Sequence, residues 1–217
     1  MITGILRNNY GFFIPLLLFV AGGTAWIALS SSEQVHLFIN SFHNNILDAI
    51  MPPATWIGDG WVIAALCMVA LFINYKAAIL LIASNLLSSG ITQTLKLSVF
   101  SESLRPFEYF GNGTGLHLVP GVEMHSYASF PSGHATIAFA TCFCLAILSE
   151  SRIAKFLFFV LALFAGYTRV YLSQHFLNDI LAGAVIGTCS AVMANVFIQH
   201  WFDKKKPLWI NKGLFRK

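Results

Sequence analysis

Apolar residues cluster along the chain into six long runs, over about Phe12–Ser30, Trp56–Tyr75, Ala77–Lys96, Gly133–Ser149, Ile153–Leu172 and Leu177–His200. Each is near the roughly 17–25 residues that an α-helix needs to cross the hydrocarbon core of a bilayer. The second and third runs are parted only by the tight turn at Asn74–Lys76. Residues 31–55 have a different pattern: Val35, Leu37, Phe38, Phe42, Ile46, Leu47 and Ile50 alternate with polar groups before Pro52-Pro53. That spacing predicts an amphipathic helix lying in the membrane interface. Residues 97–132 are rich in Gly, Ser, Pro and His and read as the one substantial extramembrane loop. No internal repeat or second domain interrupts the pattern. The expected fold is therefore all-α: a six-transmembrane-helix bundle with an interfacial helix and one large loop, a single domain over residues 1–217.

Composition supports a membrane solvent. The chain is 57% hydrophobic and 10% charged, against about 25% charged residues in soluble domains. No basic tract interleaved with aromatics points to nucleic acid. The four cysteines, Cys67, Cys142, Cys144 and Cys189, lie inside apolar runs without zinc-site spacing and read as small buried hydrophobes. The first run exceeds the roughly 7–15 residues of a signal-peptide core and lacks a following cleavage site, so it reads as a retained helix. With a cytoplasmic N-terminus, ten of the thirteen Lys/Arg residues fall on the cytoplasmic side: Arg7, Lys76, Arg152, Lys155, Lys204, Lys205, Lys206, Lys212, Arg216 and Lys217. This follows the positive-inside bias, puts both termini in the cytoplasm and makes the large loop extracytoplasmic. A bacterial inner membrane is the expected location.

The three exceptions, Lys96, Arg105 and Arg169, are where chemistry gathers. In this topology Lys96 closes span three, Arg105-Pro106 follows in the loop, and Pro131-Ser132-Gly133-His134 opens span four. Arg169 ends span five, His175 sits in the next turn, and Asp179 begins span six. All meet at one membrane depth. Three cations can neutralise the non-bridging oxygens of a phosphate, and arginine offers a planar fork for them. Ser132 and Gly133 place backbone N–H groups and a positive helix end toward the same anion. His134 can donate a proton to a leaving alkoxide. His175 and Asp179 are four residues apart, so in a helix beginning at the histidine the carboxylate can fix its tautomer and leave the other nitrogen to attack phosphorus.

These segments resemble the three signature motifs of the type 2 phosphatidic acid phosphatase (PAP2) family, which shares its site with vanadium haloperoxidases. Pro131-Ser132-Gly133-His134 matches the second motif in full. Thr168-Arg169, five residues, His175, three residues and Asp179 match the third, with Thr168 where the family usually has Ser. In the first motif eight residues separate Lys96 from Arg105-Pro106, where the family usually has six. The similarity covers about residues 55–195. It implies a metal-free double displacement without a cofactor. His175 would become a phosphohistidine, His134 would serve as acid and then base, and Asp179 would orient His175. Lys96, Arg105, Arg169 and the Ser132–Gly133 backbone would bind the phosphate.

The expected function is a metal-independent lipid-phosphate phosphatase acting on a phosphomonoester or pyrophosphate at the extracytoplasmic face. Phosphatidylglycerol phosphate, phosphatidic acid, undecaprenyl pyrophosphate and lipid A phosphates are its candidate substrates. The alternatives are a lipid phosphotransferase using the same intermediate, a non-enzymatic membrane transporter, and a haloperoxidase. His36, His43 and His200 read as structural, Gly183 and Gly187 as a close-packing pair, and Lys204–Lys206 as a topology determinant. His117, Glu123 and His125 line the entrance or, less simply, hold a metal. Oligomeric state is left open.

Overall fold

A computed structural model describes residues 2–111, 115–205 and 212–214, the side chains of 203–205 excepted; the Lys204–Lys206 cluster and residues 216–217 therefore lie outside the described side chains. Among the described residues every regular element is helical. In chain order they are α1 (Ile2–Asn8), α2 (Tyr10–Leu29), α3 (Ser32–Asn40), α4 (Asn45–Ala54), a 3-10 turn (Thr55–Gly58) and α5 (Gly60–Ile73). They continue with α6 (Tyr75–Ser98), α7 (Pro106–Phe110), α8 (Gly133–Leu148), α9 (Arg152–Tyr171) and α10 (Leu177–Lys205).

Among the described residues, four helices are long and apolar enough to cross a membrane: α2, α6, α9 and the Leu177–Phe202 part of α10. The second apolar run differs from its expected form. Its helix covers only Gly60–Ile73, because Asp59 caps a new N-terminus by accepting from the Trp61 N–H at 2.9 Å. The preceding segment Asn45–Gly58 meets it at a bend of 51°, and the two together make a fifth candidate span. The fourth run is also shorter than a span by length. At 16 residues, α8 measures about 24 Å.

That short helix is the centre of the molecule. Ala135, Ala138, Phe139, Ala140, Phe143 and Cys144 of α8 are buried, as expected of a helix that is apolar all round. Small residues let its neighbour approach. A Cβ on Gly183 of α10 would come within 2.8 Å of the Ser132 carbonyl oxygen, and one on Gly187 would run into the carbonyl of Thr136. The pair is therefore internal packing of α10 on α8, the small-residue contact that membrane helices favour. Polar side chains on one face of α6 meet α8. Asn85 and Thr141 exchange hydrogen bonds of 3.0 and 3.2 Å, and the Thr92 hydroxyl donates to Thr136 at 3.2 Å. Cys67, Cys142 and Cys144 are buried, whereas Cys189 lies on the exposed side of α10, contrary to its expected burial.

The stretch expected as one interfacial helix is two. Ser31 caps α3 and Asn44 caps α4, each with its side-chain oxygen accepting backbone N–H groups, and a break falls between them. Nor does this stretch simply lie on the surface. Val35 and His36 are fully buried, and His36 Nε2 meets the Ser173 hydroxyl at 3.2 Å. The large loop is tied to the same corner at His117: Asn40 donates to the His117 carbonyl at 2.9 Å and accepts from its N–H at 2.8 Å. Within the loop, Arg105 N–H donates to Ser126 and Ser129 N–H to Ser103.

Candidate active site

The C-terminal ends of α6 and α9 and the N-terminal ends of α8 and α10 meet at one end of the bundle. His175 lies there, 2% exposed, in the turn between α9 and α10. The turn is pinned by the Arg169 carbonyl, which accepts from the N–H groups of Gln174 (2.9 Å) and His175 (3.2 Å). Ser173 takes a φ of 52° in this turn, a left-handed conformation that non-glycine residues adopt at a cost and that recurs at functional sites.

Helix α10 begins at Leu177, two residues later than a helix starting at His175 would, yet the pairing with Asp179 forms. His175 Nδ1 lies 3.2 Å from Asp179 Oδ2. The same oxygen accepts from the Phe176 N–H at 3.0 Å and from the Ser129 hydroxyl at 2.5 Å. A carboxylate so engaged assigns the proton of a neutral His175 to Nδ1 and leaves Nε2 as the basic nitrogen. Burial first, then the charges of Arg105, Arg169 and Lys96, hold the His175 pKa well below the usual histidine value. The imidazole is therefore neutral at neutral pH.

The cations surround it. Lys96 is 9% exposed and its Nζ donates to the Ala128 carbonyl at 2.6 Å, so the longer spacing before Arg105 still brings it to the site. Arg105 donates from Nε to the Tyr127 carbonyl at 3.0 Å and from Nη1 to Gln174 at 3.3 Å. Its pKa is lowered by burial, partly offset by the negative charge of Asp179. Arg169, 8% exposed, donates from Nη1 to the Thr55 hydroxyl at 2.8 Å and from Nη2 to the Gln174 side-chain oxygen at 3.4 Å. Its Nε is buried without a partner among the described residues. At the start of α8, the Ser132 hydroxyl accepts from the Ala135 N–H at 3.4 Å, and the Ser132 N–H donates to the Asp179 carbonyl at 3.0 Å. A Cβ on Gly133 would meet open space. The His134 Nε2 lies 4.0 Å from Asp59 Oδ2, and both side chains remain about a third exposed. Three cations thus outnumber two carboxylates around two histidines, an arrangement suited to an anion with a reacting centre beside His175.

Every residue expected at the site is brought to this end of the bundle. The geometry adds Ser129, Gln174, Thr55 and Asp59. Gln174 bridges the two arginines through one oxygen, and its amide donates to the Glu123 carbonyl at 3.0 Å. His117 takes a supporting role away from the cradle, with Nε2 on Asp48 at 2.9 Å and its ring stacked on His43 at 3.8 Å. His125 is exposed. Among the described residues, no group of three His, Cys, Asp or Glu is placed to hold a metal ion.

The family model of the PAP2 superfamily matches residues 77–203. A Drosophila melanogaster protein named as a phosphatidate phosphatase is 31% identical over 87 residues, which cover 35% of this chain and 23% of that protein. An Escherichia coli K12 protein named as an undecaprenyl-diphosphatase, YbjG, is 33% identical over 100 residues, covering 41% of this chain and 50% of that one. The matches thus span half or less of the length of these curated relatives. In fold, the chain is similar to the crystal structure of Aquifex aeolicus LpxE, with a TM-score of 0.66 and 24% identity over 75% of this chain and 93% of that one. It is similar also to the crystal structure of the transmembrane PAP2 type phosphatidylglycerolphosphate phosphatase of Bacillus subtilis, with a TM-score of 0.58 and 22% identity over 92% of this chain and 98% of that one.

Proposed function

Because this chain belongs to the PAP2 superfamily, we propose that it is a membrane lipid-phosphate phosphatase working through a phosphohistidine at His175. The observation that carries this reading is the buried His175–Asp179 pair at 3.2 Å with Lys96, Arg105 and Arg169 around it. His175 Nε2 attacks phosphorus, and the bond to the leaving oxygen breaks as His134 gives that oxygen its proton. Asp179 stabilises the charge that develops on His175. Water then loses a proton to His134 and attacks the phosphohistidine, the P–N bond breaks, and inorganic phosphate leaves. The arginines, Lys96 and the first N–H groups of α8 stabilise the charge on the equatorial oxygens in both steps.

The substrate class is a phosphomonoester or pyrophosphate on a membrane lipid. An apolar groove of about 420 Å³ between α5, α6 and α8, lined by Ile63, Met68, Leu71, Ile82, Leu86 and Ile137, begins at Gly60 beside the site. It suits an acyl or prenyl chain. Phosphatidic acid, undecaprenyl pyrophosphate, phosphatidylglycerol phosphate and lipid A phosphates are the candidates. In this reading α2, the bent pair ending in α5, α6, α8, α9 and α10 make six crossings, with cytoplasmic termini and an extracytoplasmic site, as ten of the thirteen basic residues favour.

Phosphate release from this lipid panel by the purified protein tests the reading. Release should persist in EDTA, and vanadate should inhibit competitively as a mimic of the pentacoordinate state. Dependence on an added divalent ion, or indifference to vanadate, would contradict the mechanism. Transfer of label to an acceptor lipid in place of water would make the protein a phosphotransferase.

A further inference from the structure

The segment before α5 lies outside the residues that the family model matches, yet it packs into the site from two directions. Thr55 accepts from Arg169 at 2.8 Å. Three residues later, a Cβ on Gly58 would lie 2.7 Å from the His134 carbonyl oxygen and 3.1 Å from its Cβ. Only a residue without a side chain allows the 3-10 turn to press this closely on the first turn of α8. The consequence is the position of Asp59. Its Oδ1 caps α5 through the Trp61 N–H, and its Oδ2 faces the His134 ring at 4.0 Å.

His134 needs such a neighbour. Lys96 from α6, Arg105 from the loop and Arg169 from α9 are all cations that disfavour an imidazolium there, and His175 is neutral. His134 is also the second residue of α8, beside the positive end of that helix. Asp179 is committed to His175, Ser129 and the Phe176 N–H. Among the described residues, Asp59 is the carboxylate that faces His134.

We infer that Asp59 is the positioning residue that keeps the proton on His134 until the leaving oxygen takes it, and that the turn Thr55–Gly58 exists to hold it there. The inference rests on His134 acting as the acid. With one N–H of the imidazolium directed at Asp59, the other N–H protonates the departing alkoxide as the P–O bond breaks. The proton that water later surrenders returns to the same pair.

Asp59→Asn separates this role from helix capping, because asparagine caps as well as aspartate but carries no charge. The full-length protein is assayed on an alkyl substrate, dioctanoyl phosphatidic acid, and on 4-nitrophenyl phosphate, whose leaving group needs little protonation. The quantity compared is kcat/KM, which ends at departure of the alcohol. In the variant it should fall about 30-fold or more on the alkyl phosphate and less than about 3-fold on the aryl one. The alkaline limb of its pH profile should move about one unit lower, as loss of a neighbouring opposite charge predicts. Equal losses on both substrates with an unmoved limb, or no loss, would overturn the role of Asp59 alone. A wild-type protein inert toward both substrates would overturn the phosphatase reading and this inference with it.

Discussion

Replacing His175 with alanine should lower phosphate release by about 10⁴-fold or more while leaving the protein folded, since a nucleophile's loss removes the covalent route altogether. The size of the effect follows from where the ring sits. His175 is 2% exposed, its Nδ1 is held by Asp179 at 3.2 Å, and burial together with three cations keeps it neutral. No other imidazole in the described residues combines those conditions. His134 is about a third exposed beside Asp59, His36 is held on Ser173, and His117 is held on Asp48. Alanine leaves a small cavity beside the Asp179–Ser129 contact, so the variant's elution profile and thermal midpoint in detergent should stay near wild type. Loss of turnover with wild-type folding would identify chemistry; loss of both would identify only a damaged turn. A transporter using these charges for ion passage would survive the change.

The second large effect is expected from Arg169→Lys. A lysine keeps the charge and loses the fork. Arg169 spends Nη1 on Thr55 and Nη2 on Gln174, and its Nε is buried without a partner among the described residues. A lysine ammonium cannot hold Thr55 and Gln174 while also meeting a phosphate oxygen. We expect kcat/KM to fall about 10²-fold, the size seen when one oriented donor to a developing oxyanion is removed. Most of the loss should appear in kcat, because the donor is oriented for the transition state. A change confined to KM would mean that Arg169 only attracts the anion.

Sequence order made the chemical ends of the helices readable. The Pro131–His134 and Thr168–Asp179 segments named their residues, and alternating helix direction put them at one end. The longer gap between Lys96 and Arg105 is absorbed locally: Ser103 N–H turns back to Phe100 at 3.1 Å, so the loop takes up its extra residues before Arg105. What could not be read depends on contacts between side chains far apart in sequence. Thr55 meets Arg169 across 114 residues and Ser129 meets Asp179 across 50. Neither residue carries a local pattern that sets it apart from an ordinary cap or loop residue. Asp59 looks like one member of a Gly-Asp-Gly turn inside an apolar run. Its capping of α5 divides that run, and the division is also what aims it at His134. The two helices in residues 31–54 escaped a single amphipathic pattern for a similar reason, since the caps at Ser31 and Asn44 act locally and outweigh the longer period.

The most direct test is to find the phosphate on the enzyme. The purified protein is mixed with a lipid phosphate labelled at phosphorus, quenched within milliseconds at alkaline pH, where phosphohistidine survives, and digested for peptide mapping. The account predicts label on the peptide containing His175, at Nε2, appearing before free phosphate and absent from His175→Ala. Rapid release of phosphate with no label on the protein at any time, or label on a different residue, would contradict it.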